Sequence, residues 1–322
     1  MGIVSEKSPL VSVLTLAYNH APYIRECLDG ILMQKTNFAF ELLIHDDAST
    51  DGTADIIREY EAKYPDIVKP IYQTENQYSK GVKITITYQL PRVKGKYIAL
   101  CEGDDYWTDP LKLQKQVDFM EANPDYGLCY TSINMLHLDK SFSHEYNFSN
   151  DFEPTINELM ISNPICTLTT LFRKDLYAKY IEEVEPQNQN WKMGDYPIWI
   201  WFALHSKIKY LNGITGVYRR TIGSASNSSD KNKQLSFLLN VIDIKTFFKE
   251  KYDICNSLYL HGTANTYTQC RGIAIDIGRW DIIKKEIKTA RLLKNWKRVI
   301  KLKVLYIARY NKLILNFINS RI

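Results

Sequence analysis

Short apolar runs alternate with amphipathic stretches along the first 120 or so residues of the chain. Leu10 to Leu16 (LVSVLTL) is apolar and β-branched, as suits a strand buried on both faces. Tyr18-Asn19-His20 makes a turn, and Ile24, Cys27, Leu28, Ile31 and Leu32 recur at helical spacing, predicting a helix to about Gln34. Phe40 to His45 is a second strand ending at Asp46-Asp47. Ser49-Thr50-Asp51-Gly52-Thr53 follows with turn and helix-capping chemistry. The next helix uses Ala54, Ile57 and Tyr60 or Glu61 and is closed by Pro65. Ile67 to Tyr72 is a third strand, and Lys94-Gly95-Lys96 turns the chain into a fourth, Tyr97 to Cys101. Asp109-Pro110 opens a helix through Met120 that stops at Asn123-Pro124.

Strand and helix in alternation predict an α/β fold, a mostly parallel Rossmann-like sheet with helices on both faces. Such sheets bind ligands at the carboxyl ends of their strands. Asn19, Asp47 and the Glu102–Asp105 stretch all fall just past strand ends, so they converge on one edge. Cys129 to Met135 and Thr167 to Phe172 read as further strands, with a polar loop from His137 to Asn157 between them. Ile198 to Leu204 reads as a helix. Ile208 to Leu211 and Ile214 to Tyr218 read as a short strand pair before Arg219-Arg220. The Ser/Asn-rich stretch Ser224 to Lys233 marks a domain boundary, dividing an α/β part, 1–226, from a helical, basic extension, 227–322.

Composition is that of an ordinary globular protein: 45% hydrophobic, 24% charged, and somewhat rich in aromatics at 12%. No run approaches the ~18 apolar residues of a membrane span, and the N-terminus lacks a secretory pattern. Cys27, Cys101, Cys129, Cys166, Cys255 and Cys270 are scattered without metal-type pairing, as expected of reduced cysteines in a cytoplasmic protein. The net charge of +5 hides an asymmetry. From Lys231 onward 19 Lys and Arg face 6 Asp and Glu, a net +13, which leaves −8 on the first 230 residues. An acidic body with a basic tail speaks of partners rather than fold.

The sharpest chemical signal is Glu102-Gly103-Asp104-Asp105-Tyr106, which sets three carboxylates at a strand end. Like charges a few ångströms apart are costly in a poorly solvated site unless a cation neutralises them. Hard oxygen ligands suit Mg²⁺ or Mn²⁺. A solvated acidic turn capping the next helix is the plain alternative.

Residues 9 to about 226 resemble the family 2 glycosyltransferases of the GT-A fold, on four ordered features. Pro9-Leu10-Val11-Ser12-Val13 through Tyr18-Asn19 is similar to that family's first strand and nucleotide-facing turn. Asp46-Asp47-Ala48-Ser49-Thr50-Asp51-Gly52-Thr53 resembles its second-strand signature. Glu102-Gly103-Asp104-Asp105 stands where its metal-binding Asp-X-Asp region lies. Gly194-Asp195 stands at its catalytic carboxylate, with Tyr218-Arg219-Arg220 as the basic segment after it.

The resemblance implies a nucleotide-sugar donor, UDP-linked, and Mn²⁺ or Mg²⁺ held by Asp104 and Asp105 with Glu102 beside them. It implies that Asp47 accepts the uracil imide, unless Asp46 does so and Asp47 caps the helix, and that Tyr18 lies against the base. Asp195 becomes the general base of an inverting transfer to a glycan or lipid-linked glycan, with helix capping before Pro197 as the alternative role. Trp191, Tyr196 and Trp199 would offer sugar-stacking surface. Arg219 or Arg220 would clamp the diphosphate, against a bland surface ion pair. Two departures stand out: Glu102 at the first acidic position, and Thr221 where many relatives carry a His. Transfer to a polyprenyl phosphate, which needs no base, is a second reading, and a carbohydrate-binding protein retaining the fold is a third. Nucleotidyl transfer is disfavoured, because Ala17-Tyr18-Asn19-His20 is not a Gly-rich phosphate loop.

In the tail, Leu293, Trp296, Ile300, Val304, Ile307, Ile314 and Ile318 recur at helical spacing, with Lys294, Lys297, Arg298, Lys301 and Arg309 on other faces. This is the pattern of a helix lying on an anionic membrane surface. Packing of the same stripe into a small helical bundle is the alternative, and apolar stripes are more often core. Nucleic acid is not an expected partner, since the charge is confined to the tail and no recognition motif accompanies it.

Overall fold

The computed structural model describes residues 8–145, 152–221 and 229–308. In chain order these form β1 (Val11–Ala17), α1 (Ile24–Leu32), β2 (Phe40–Asp46), α2 (Thr53–Lys63), β3 (Val68–Tyr72), β4 (Tyr97–Leu100), β5 (Tyr106–Trp107) and α3 (Lys112–Ala122). Next come β6 (Tyr126–Leu136), β7 (Phe142–Glu145), α4 (Ile156–Ile161), β8 (Leu171–Arg173), α5 (Lys174–Val184), α6 (Tyr196–His205) and β9 (Lys207–Arg219). Four helices follow: α7 (Lys231–Lys251), α8 (Asn256–Asp276), α9 (Trp280–Leu292) and α10 (Trp296–Ala308).

The strands form one sheet in the order β3-β2-β1-β4-β8-β6-β9-β5, with β7 added to β6. From β3 to β4 every pairing is parallel, as the alternating pattern predicts. Beyond β4 the sheet is mixed, because β8 runs antiparallel to both β4 and β6. The expected strand pair at 208–218 is instead the single strand β9, parallel to β6. Its turn-like Asn212-Gly213 makes an irregularity rather than a hairpin: Gly213 has φ 134, and the register shifts between Tyr130 and Ser132.

Alternation along the strands decides what each face of the parallel half meets. Val11, Val13, Leu42, Ile44, Tyr97 and Ala99 form one core with Ile24, Cys27, Leu28 and Ile31 of α1 and Ile57 of α2. The opposite face carries polar groups. Ser12 Oγ donates to Glu41 (2.5 Å), whose carboxylate also accepts the Lys94 N–H (2.9 Å), while the Gly95 N–H donates to Ser12 Oγ (2.9 Å). Gln89 donates its amide to the carbonyls of Thr15 and Leu43, at 2.9 and 3.0 Å. It belongs to a run of short 3-10 and π turns between Tyr78 and Arg92.

Contacts divide the chain into two compact units. The first takes the chain up to residue 155, then 164–190 and 201–221; the second takes 156–163, 191–200 and the helices α7 to α10. The sequence boundary expected at 226 lies outside the described residues.

In the second unit, Leu235, Tyr267, Cys270, Ala274 and Ile282 make one apolar cluster, and Ile283, Ile287, Ala290, Val299, Leu302 and Leu305 another. The Lys245 ammonium is buried and donates to Gly262 O (3.0 Å), Thr266 Oγ1 (3.1 Å) and Ile161 O (3.3 Å). Glu286, fully buried, joins three helices by accepting from Arg271 (2.6 and 3.1 Å) and from Arg298 (2.6 Å). Glu286→Ala strands two guanidinium groups around a buried gap. It should therefore cost about 3–5 kcal/mol, read as a lower urea midpoint, and Glu286→Gln should cost less.

Candidate active site

The acidic turn is carried past the end of β4 by continued pairing with β1. Cys101 N–H donates to Leu14 O (3.1 Å) and Gly103 N–H to Leu16 O (2.9 Å). A side chain at 103 has no room, since a Cβ would sit 2.8 Å from His20 Nδ1 and 3.0 Å from Leu16 O. β5 then pairs with β9, Tyr106 opposite Val217, which brings Arg219 and Thr221 to the acidic residues.

Asp105 is buried and accepts the Arg219 N–H at 2.8 Å. Burial, above all, and then the neighbouring charge of Asp104 and of Glu102 push its carboxyl well above the usual range; Arg219 pulls the other way. Asp104 Oδ2 accepts the Thr221 hydroxyl at 3.2 Å. Arg219 is only 6% exposed. Its Nη1 donates to Asp104 O (2.7 Å), its Nη2 bonds Glu26, and its guanidinium lies 4.3 Å from the Tyr106 ring centroid. Arg219 thus holds the acidic turn, whereas the Arg220 side chain is exposed.

Among the described residues no three His, Cys, Asp or Glu side chains converge as a ready metal cage. The donor set still fits a hard divalent ion of the kind held by one or two carboxylates with the remaining positions left to phosphate oxygens and water. Crowded carboxylates lacking a full countercharge are what such an ion relieves. Beside them, buried His20 Nδ1 has no hydrogen-bond partner among the described residues, and burial lowers this imidazole's pKa against the pull of Asp104, Asp51 and Asp46.

The second-strand signature proves to be a clasp between two turns. Asn19, at φ 54, donates its N–H to Ser49 Oγ (2.9 Å) and accepts the Thr50 N–H on Oδ1 (2.8 Å). His20 N–H donates to Thr53 Oγ1 (2.8 Å), and Ala21 N–H to Asp51 Oδ2 (3.0 Å). Asp46 Oδ2 accepts the Ser49 N–H at 3.2 Å, a turn-closing role. Asp47 is buried and accepts the N–H groups of Gln77 (2.7 Å) and Tyr78 (3.0 Å), with His45 Nε2 3.5 Å from Oδ1. Two exposed aromatics adjoin these bonds: Tyr78, 67% exposed, gives its own N–H to Asp47, and Tyr18, 46% exposed, follows Ala17, whose carbonyl accepts the Asp47 N–H at 2.9 Å. Tyr78 escaped the sequence reading because its stretch has no period; its one local sign is an aromatic ring amid polar residues.

Asp195 belongs to the second unit, directly before α6. It is half-buried, its Oδ1 accepts the Tyr196 N–H at 2.8 Å, and its carbonyl accepts the Ile198 N–H at 2.9 Å. The aromatic surface expected around it is corrected by the structure. Trp191, Tyr196 and Trp199 are all buried. Trp191 packs on Phe247 and Phe248 with centroids 5.1 and 6.2 Å away, and the Tyr196 hydroxyl bonds Leu159 O. These rings are core.

Residues 12–181, more than half of the chain, match the family described as Glycosyl transferase family 2. An uncharacterised protein of Mycobacterium tuberculosis is 36% identical over 214 residues, which is 65% of this chain and 58% of that relative. The chain therefore spans less than two thirds of that relative's length. The UDP-Glc:alpha-D-GlcNAc-diphosphoundecaprenol beta-1,3-glucosyltransferase WfaP of Escherichia coli is 30% identical over 240 residues, covering 72% of this chain and 85% of WfaP. Among solved structures, S. aureus TarS 1-349 in complex with UDP-GlcNAc is similar in fold, with a TM-score of 0.63 at 16% identity over 96% of this chain and 89% of that one. With the sheet, the clasped strand-end turns and the acidic turn in place, the chain belongs to glycosyl transferase family 2.

Proposed function

We propose that the protein transfers a hexose or N-acetylhexosamine from a UDP-sugar to a hydroxyl of a polysaccharide or lipid-linked oligosaccharide, with inversion at the anomeric carbon. The observation that carries this reading is the pair Asp104 and Asp105, crowded at the carboxyl edge of the parallel strands and backed by Arg219. WfaP is named for a UDP-glucose donor and a diphosphoundecaprenol-linked acceptor, and TarS was solved with UDP-GlcNAc; both support the donor class.

Asp104 and Asp105 would hold Mn²⁺ or Mg²⁺, with Glu102 beside them. When bound, the ion supplies Lewis-acid stabilisation for charge building on the departing diphosphate. An ionised carboxylate offers about four lone-pair sites, so Asp47 can take a uracil imide hydrogen in addition to its two backbone donors. Tyr18 lies against the base, and Asn19 shapes the turn beneath it through its bonds to Ser49 and Thr50. Arg220, exposed, is the better candidate to meet the diphosphate, because Arg219 is engaged by the acidic turn. Asp195 takes the acceptor hydroxyl's proton as that oxygen bonds to the anomeric carbon and the bond to the diphosphate oxygen breaks. A polyprenyl phosphate acceptor would have no use for that base. A cytoplasmic enzyme lying on the inner face of the membrane fits a lipid-linked acceptor.

Thermal unfolding with UDP, GDP, CMP or dTDP, each with Mn²⁺, Mg²⁺ or EDTA, tests the reading. UDP with Mn²⁺ should stabilise by about 2.7 kcal/mol at a hundredfold excess over Kd, and EDTA should remove the effect. A shift with GDP alone overturns the donor, and no shift with any nucleotide overturns the enzyme.

A further inference from the structure

The helix α10 has two apolar faces, and among the described residues only one is packed. Val299, Leu302 and Leu305 are buried against Ile283, Ile287 and Ala290 of α9. Trp296, Ile300, Val304 and Ile307 are 61%, 62%, 47% and 70% exposed. At 3.6 residues per turn these four fall within an arc of about 80°. Exposed Lys303 borders the arc on one side, and exposed Lys297 and Lys301 border it on the other. From Trp280 to Ala308 the chain carries nine Lys and Arg and two acids, Asp281 and Glu286. Glu286 is buried between Arg271 and Arg298, so it does not dilute the surface charge.

We infer that this stripe is a docking surface for an anionic phospholipid bilayer. Among the described residues nothing packs these four, because the bundle buries the other face of the same helix. A narrow apolar arc with lysines on both borders matches a bilayer surface: the apolar side chains enter the acyl boundary while the lysine stems reach back to anionic headgroups. The helix lies on the bilayer rather than through it, as no helix among the described residues is long and apolar enough to span one. The inference rests on the glycosyltransferase reading in one respect only, that a lipid-linked acceptor gives the enzyme a reason to be there.

The test is co-sedimentation of the full chain with phosphatidylcholine vesicles, with or without phosphatidylglycerol, at low and high salt. The wild-type protein should bind the anionic vesicles and lose affinity as salt rises. Ile300→Gln/Ile307→Gln should weaken binding by about tenfold or more, since two side chains leave the acyl boundary. Lys297→Gln/Lys301→Gln should reduce the preference for anionic over neutral vesicles with the stripe intact. All four positions are exposed, so unfolding midpoints should match wild type. Failure of the wild-type protein to bind anionic vesicles overturns the inference, as does equal binding by the isoleucine variant. So does a wild-type dimer that this variant turns into a monomer without any bilayer binding, which assigns the stripe to a second copy of the chain. The UDP unfolding shift, measured on the same preparations, reports separately on the enzyme.

Discussion

Asp195→Asn should lower kcat by about 10²–10⁴ while leaving the Kd for UDP with Mn²⁺ and the unfolding midpoint almost unchanged. The substitution separates the helix-start bond to Tyr196 from the proton transfer proposed for the same carboxylate. An amide oxygen can still accept the Tyr196 N–H, the bond now made at 2.8 Å, and Asn caps helices about as well as Asp. What the amide cannot do is take a proton from an acceptor hydroxyl. Stability should therefore stay within about 0.5 kcal/mol of wild type, so lost turnover cannot be blamed on lost fold. Asp195→Ala gives up the cap as well and should cost about 1 kcal/mol in addition. Turnover retained within a few-fold would leave Asp195 as a helix cap alone and move the base elsewhere.

The parallel half of the sheet was legible because its strands are short apolar runs bounded by polar turns, and β1, β2 and β4 end within one residue of those runs. The acidic turn was legible for a different reason, since three carboxylates at a strand end defy ordinary desolvation cost. What brings that turn its partners left no local trace. Arg219 and Thr221 lie 115 and 117 residues from Asp104, and their arrival depends on the pairing of two-residue β5 with β9. The direction of β8 was equally hidden, because strand composition carries no polarity. Nor does composition tell a stacking ring from a core ring, which is why Trp191 and Tyr196 read as sugar platform and turned out packed. The α10 stripe shows the same ambiguity with the opposite outcome. Spacing put Trp296, Ile300, Val304 and Ile307 on one face, but only the burial of Val299, Leu302 and Leu305 identifies which face the bundle uses.

Arg219→Ala should lower the stability of the unliganded protein by about 2–4 kcal/mol, adding a charge-assisted bond to a carbonyl, a cation–π contact and a half-exposed ion pair. These are the bond to Asp104 O, the contact with the Tyr106 ring and the pair with Glu26. The neighbouring Asp105 would also lose the guanidinium that opposes its charge penalty. Arg219→Lys keeps the charge but not the planar fork that meets Glu26, the carbonyl and the ring together, so rescue should be partial. Arg220→Ala is the contrast, since an exposed side chain should cost less than about 0.5 kcal/mol and its loss should appear in donor binding instead. Unfolding without nucleotide therefore tells apart a residue that holds the turn from one that holds the diphosphate. If Arg219→Ala unfolds at the wild-type midpoint and weakens only UDP binding, Arg219 swings outward in solution and is the clamp after all. If it unfolds early and UDP with Mn²⁺ restores part of the loss, the metal and the arginine would stabilise the same crowded carboxylates, and the acidic turn depends on both.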